Sequence, residues 1–204
     1  AFFERNAGLL SSIQLTSPHG QRAVSLQERQ MEMLRERIKG LEHKIIEMIR
    51  NGQDNVAIAD RLHRWTRSLL LTSDPAALPQ AMADGLRQQF MIPQAAIRVW
   101  GADAAHADEA FAGAVSEDVK SFADSLSVPY CGVNAGFEAV SWLEDPASVL
   151  SVALIPLRHG DDAFGLLVLG SPDATRYSAE MGTEFLMRIG EVASAALSRL
   201  LRAD

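Results

Sequence analysis

The sequence predicts an α+β fold, an antiparallel sheet flanked by helices and preceded by an N-terminal coiled-coil helix. Three features predict it. They are a heptad seam over residues 31 to 48, two apolar strand-length runs joined by a short polar turn, and a closing apolar stripe at helical spacing. Of 204 residues, 48% are apolar and 22% charged, within the range of an ordinary globular chain.

Met31, Leu34, Ile38, Leu41, Ile45 and Met48 are spaced 3, 4, 3, 4, 3, which is an a/d seam. Ile at two a positions and Leu at two d positions favours a parallel two-stranded pairing, with Arg37 at g and Glu42 at e placed to pair across a homodimer. A helix packed on its own domain would show a wider stripe. That alternative stays open over so few heptads. Upstream, Phe2 to Leu15 form a short apolar patch ended by the turn signal Ser17-Pro18-His19-Gly20, and Ser25 with Glu28 reads as a capping box. Asn51-Gly52 then interrupts the seam, and the stripe moves to Ile58, Leu62, Trp65 and Leu69. The helix either breaks there or turns another face to its partners.

Asp74-Pro75 supplies an N-cap and first residue for a helix to Phe90. Ala95 to Trp100 reads as a strand with Ile97 and Val99 on one face and Arg98 and Trp100 on the other. Residues 103 to 126 are Ala-rich and acidic, with Ser116 capping a helix. Pro129-Tyr130-Cys131-Gly132 is a short strand or turn, and Phe137 to Leu143 a short helix. Val149 to Leu157 and Ala163 to Gly170 form a hairpin, and Ser178 to Leu201 a closing helix through Met181, Phe185, Ile189 and Val192.

Charge divides the chain. The total is -7; residues 21 to 72 carry 10 Lys or Arg against 7 Asp or Glu, and residues 73 to 204 carry 8 against 18. The expected organisation is therefore a helical dimerisation segment over 1–72 and a globular domain over 73–204. An acidic balance disfavours direct nucleic-acid binding, which draws on Lys and Arg. No apolar run approaches the ~18 residues that cross a bilayer, so no membrane is expected. Cys131 is the only cysteine, which excludes an intrachain disulfide and suits the cytoplasm.

The strand phrases Ser151-Val152-Ala153-Leu154-Ile155-Pro156-Leu157 and Phe164-Gly165-Leu166-Leu167-Val168-Leu169-Gly170 resemble those of GAF domains, a sensory fold related to PAS domains. A likeness over nearly the whole chain rests on Phe2-Phe3-Glu4-Arg5-Asn6, His19-Gly20, Ala23-Val24-Ser25-Leu26, Leu34-Arg35-Glu36-Arg37, Tyr130-Cys131-Gly132 and Met181-Gly182-Thr183-Glu184-Phe185-Leu186. These are similar to a proteobacterial GAF-like family of unknown function. The resemblance implies a cytoplasmic protein with an N-terminal coiled-coil segment and a GAF-like domain, and hints at a tyrosine recombinase as a protein partner. It carries over no catalytic residue.

No residue constellation points to catalysis. Some GAF domains resemble methionine sulfoxide reductases, whose chemistry needs a resolving thiol beside the attacking one; Cys131 has no such companion. None of the five histidines pairs with another at i, i+4 spacing, and His159 with Asp161 and Asp162 reads as a solvated hairpin tip rather than a metal site. No phosphate loop or nucleophile elbow is present. Arg98 and Trp100, facing away from the helical layer, form with Tyr130, Phe137 and Trp142 a candidate ligand site between the sheet and residues 103–143. An arginine there must find water or an anion. The bland alternative is an Arg on an edge strand with Trp100 covering its stem. The expected function is a non-enzymatic, dimeric sensory module holding a small planar or anionic molecule, with no cofactor identified. Its rival is a ligand-free dimeric scaffold that recruits a protein partner through its helices.

Overall fold

The computed structural model describes residues 26–179 and 182–201. Phe2 to Leu15, the turn at residues 17 to 20, Ser25 of the capping box and Met181 lie outside them. The chain divides into two compact units, Ala1–Ala57 and Ile58–Asp204.

Helix α1 runs from Leu26 to Leu71. Gly52 does not break it, because a single helical glycine costs only about 1 kcal/mol relative to alanine. The stripe instead changes face. Within the first unit all six seam residues, Met31 through Met48, are exposed. Within the second, Trp65 and Leu69 are buried in the core, with Leu62 packed against it. The globular unit thus begins at Ile58, ahead of the expected residue 73, since Trp65 and Leu69 contribute to its interior.

The Asp74 carboxylate accepts from the Ala76 amide at 3.0 Å and opens a 3₁₀ turn, Pro75–Ala77, which leads into α2, Leu78–Phe90. The helix stops where Met91 turns left-handed at φ 52°, with Pro93 two residues on. Strand β1 is Gln94–Val99; α3, Glu117–Ser125, follows, with Ser116 accepting from the Val119 amide. Pro129 to Gly132 resolves as a strand, β2, Tyr130–Val133, and the hairpin is β3, Ser151–His159, and β4, Asp162–Ser171. The four strands lie in the order β1-β4-β3-β2, all antiparallel.

The central strands explain why their sequence is continuously apolar. Ala153, Ile155, Leu157, Leu167 and Leu169 face a core roofed by the end of α1, α2 and α4, while Val152, Leu154, Leu166 and Val168 face a second core under α3. Buried on both faces, they show no polar alternation. The closing helix α4 is Glu184–Leu197, continued by a 3₁₀ turn to Leu200. It starts later than Ser178 because Gly182, a weak helix former, stands outside it with Thr183. Gly190 brings α4 close to the sheet: a Cβ there would lie 2.8 Å from Ile155 Cγ2.

Candidate functional site

Strand alternation places the side chains of β1. Ile97 and Val99 enter the helix-covered core, and Ala96 and Trp100 pack on the second one, so Arg98 shares their face. Trp100 donates its indole N–H to the Ala163 carbonyl at 2.7 Å, closing the turn end of the hairpin. The Arg98 guanidinium carbon stands 5.9 Å from the centre of the Trp142 ring, which the 3₁₀ turn Glu138–Trp142 presents. The backbone at Gly113 flanks it, since a Cβ there would sit 2.8 Å from Arg98 Nη1.

The five expected residues fall into three places. Arg98 and Trp142 share a cleft of about 380 Å³ with Gln80, Ala83 and Arg87 of α2. Tyr130 and Phe137 meet at 5.1 Å between ring centres, with Phe122 of α3 completing a trio at 5.7 Å from Phe137 and 6.3 Å from Tyr130. Phe122 and Phe137 also line an apolar cavity of about 260 Å³ over Leu154 and Leu166. Trp100 borders a third hollow, of about 360 Å³, with Gly101, Gly113 and Lys120. The aromatics of the middle segment therefore fill a second core, and the open space beside Arg98 lies at its edge.

Electrostatics single out Arg98 within its cleft. Arg87 donates to Glu144 at 2.7 Å and lies 3.9 Å from Asp84, although its buried Nε has no hydrogen-bond partner among the described residues. Glu109 and Glu144 also border the cleft. The side chain of Arg98, partly buried, has no hydrogen bond or ion pair among the described residues and stands against the Trp142 face. Nothing in the local sequence marks Arg87 as a site residue. The spacing Gln80, Ala83, Arg87 along one helix face marks position but not the neighbour across it.

Cys131 is buried in the core on β2, and burial pushes its thiol pKa up. Such a thiol is a poor nucleophile at neutral pH. The Tyr177 phenol is also buried, with the Arg176 guanidinium 5.9 Å from its ring centre, and burial pushes its pKa up as well. Among the described residues no group of three or more His, Cys, Asp or Glu is arranged to hold a metal ion, and no helix is long and apolar enough to cross a membrane. A groove of about 460 Å³ runs between α4 and β3, past Val128, Pro156 and Met187.

A four-stranded antiparallel sheet with this order, helices on one face and a short helix with irregular segments on the other, is a GAF-like fold. The chain is similar to the GAF domain of an Acinetobacter phosphoenolpyruvate-protein phosphotransferase, at 12% identity, with 69% of this chain and 92% of that one covered and a TM-score of 0.53. It is similar, at 12% identity, to the free methionine-R-sulfoxide reductase of Neisseria meningitidis solved with its substrate, with 69% and 88% covered and a TM-score of 0.50. The GAF domain of a Pseudomonas syringae sensor histidine kinase aligns over 74% and 91% at 18% identity, with a TM-score of 0.48. No curated protein matches the sequence. The profile of DUF484, a family of proteins of unknown function, matches residues 1–202, and the chain belongs to that family.

Proposed function

We propose that the chain is a non-enzymatic regulatory module, dimeric through α1, whose GAF-like domain holds an anionic ligand in the cleft beside Arg98. The observation that carries this reading is the partly buried guanidinium of Arg98, set over Trp142 with no hydrogen-bonding partner among the described residues. A planar fork with a free edge and a stacked face suits a carboxylate or phosphate. The cleft volume of about 380 Å³ falls in the range of small-ligand sites. The absence of a resolving cysteine beside the buried Cys131 supports a non-enzymatic role over sulfoxide reduction.

Mass spectrometry of molecules released from the purified protein tests the ligand, followed by calorimetry with Arg98→Ala. Removing one charge-assisted contact should weaken an anionic ligand by about 1.5 to 3 kcal/mol while the folded state is preserved. Unchanged affinity would leave Arg98 a surface residue. The dimer is tested by light scattering. The unmodified chain should be dimeric at micromolar concentration, and Leu34→Lys with Leu41→Lys, which puts charge into the exposed seam, should yield monomers with an intact domain. A monomeric unmodified chain would end the dimer reading.

A further inference from the structure

We propose that the ligand at the Arg98 cleft is an extended acidic peptide segment, which joins the sheet as a fifth strand along β1. The inference rests on the reading of Arg98 as the anion-recognising group and names what carries the anion. β1 is an edge strand, paired only with β4. Trp100 N–H donates to Phe164 O, so the even-numbered residues of β1 direct their backbone groups at β4, and those of Ala95, Ile97 and Val99 point outward. Ala95, Ala96, Ile97 and Arg98 all line the cleft. One outward carbonyl, that of Ala95, receives a long 3.5 Å bond from Arg87, and among the described residues the outward N–H groups of Ala95 and Ile97 have no backbone partner.

Small side chains, Ala76, Ala83 and Ala110, contribute to the lining of the cleft beside larger ones such as Gln80 and Phe111. Pairing with an unfilled edge supplies affinity through the backbone, and side chains at alternate positions supply specificity. On a strand laid beside β1, every second side chain falls on the face of Arg98 and Trp142. An Asp or Glu there sits across from the unpaired guanidinium, the favourable cross-strand pairing of opposite charges. Glu144 is already engaged by Arg87, and Glu109 is exposed at the rim, where solvent screens its repulsion.

The test is fluorescence anisotropy on the full chain, using a labelled Val- and Thr-rich octapeptide with Glu at alternate positions, and glutarate as a small anionic probe. The peptide should saturate at micromolar concentration and bind at least tenfold more tightly than glutarate. Replacing its Glu by Lys, or N-methylating its backbone on the pairing side, should weaken it tenfold or more. Ala95→Pro removes an outward N–H without touching the β4 ladder and should act like N-methylation, which needs no protein variant if the proline form fails to fold. An N-methylated peptide that binds as well as its parent, or glutarate that binds as tightly as the peptide, overturns the peptide inference and leaves the anion reading standing. If Arg98→Ala changes neither probe, both fall. No binding of the peptide at millimolar concentration also overturns the inference.

Discussion

The indole of Trp65 fills the place where a side chain at Gly85 would stand. A Cβ at position 85 would lie 2.5 Å from Trp65 Cδ1 and 2.8 Å from Nε1, and the indole N–H reaches the Met82 carbonyl at 3.3 Å in the same turn of α2. The glycine that sequence rules count as a helix defect is thus the seat of the largest side chain that α1 contributes to the core.

Gly85→Ala separates the two effects. Helix propensity alone favours the alanine by about 1 kcal/mol, while forcing a methyl against a fully buried ring costs about 1 to 3 kcal/mol. The contact distance decides for the second. The variant should be less stable, read as a lower urea midpoint at an unchanged slope; a more stable variant would mean that the indole moves aside freely.

Arg158 ties the hairpin to α3. Its guanidinium donates to the carbonyls of Ala123 at 3.2 Å, Asp124 at 2.7 Å and Leu126 at 2.9 Å, and also to that of Asp161. Ala123 and Asp124 lie in the last turn of α3 and Leu126 caps it, where carbonyls run short of intrahelical donors; the Ala123 carbonyl also accepts from the Leu126 N–H at 3.3 Å. Arg158→Ala should destabilise the domain by about 1 to 2 kcal/mol, in keeping with charge-assisted bonds that are partly solvent-screened. Hydrogen exchange should speed up most in α3. Equal exchange throughout the chain would show that the bonds add nothing specific.

Cys131→Ser replaces a thiol in a tight interior by a hydroxyl that needs a partner, and should cost about 1 to 3 kcal/mol. A near-neutral result would place the thiol next to water. The wild-type thiol should resist alkylation at neutral pH until the protein is unfolded.

The same thiol gives a pH dependence with a definite sign. Burial raises its pKa in the folded state, so its contribution to stability is intact below the ordinary thiol value and declines as pH climbs through the folded one. Between about pH 7 and 10 the wild type should lose more stability than Cys131→Ser. The Tyr177 phenol, also raised by burial, adds a loss of the same sign at the alkaline end in both proteins. Parallel curves for the two proteins would refute the assignment to Cys131.

What was readable in the sequence follows from how local each cause is. The β3 and β4 hairpin was legible because two long apolar runs flank a short turn, and the two faces of β1 because Ile97 and Val99 alternate with Arg98 and Trp100. The fate of Asn51-Gly52 was not. Turn propensity at Asn-Gly and the small cost of one helical glycine, about 1 kcal/mol, leave either outcome open. Nor could the late start of α4 be read from a stripe that continues past its true beginning. At the cleft, strand alternation points to Arg98, but nothing local marks Arg87, since its bond to Glu144 spans 57 positions. Periodicity says which way a side chain points and nothing about what a remote turn brings to meet it.

The double-sided burial of β3 and β4 bears on the moments before the domain is complete. α3 precedes the hairpin in the chain, but the face that α4 covers stays bare until Glu184–Leu197 has been made, so a nascent chain presents one sticky face along Val152 to Leu157 and Phe164 to Leu169. Segments of this composition are seeds for intermolecular association. The charges at the bend, Arg158, Asp161 and Asp162, act there as gatekeepers. Neutralising both aspartates should leave the finished domain largely unaffected yet lower its soluble yield, because their protection is needed during synthesis.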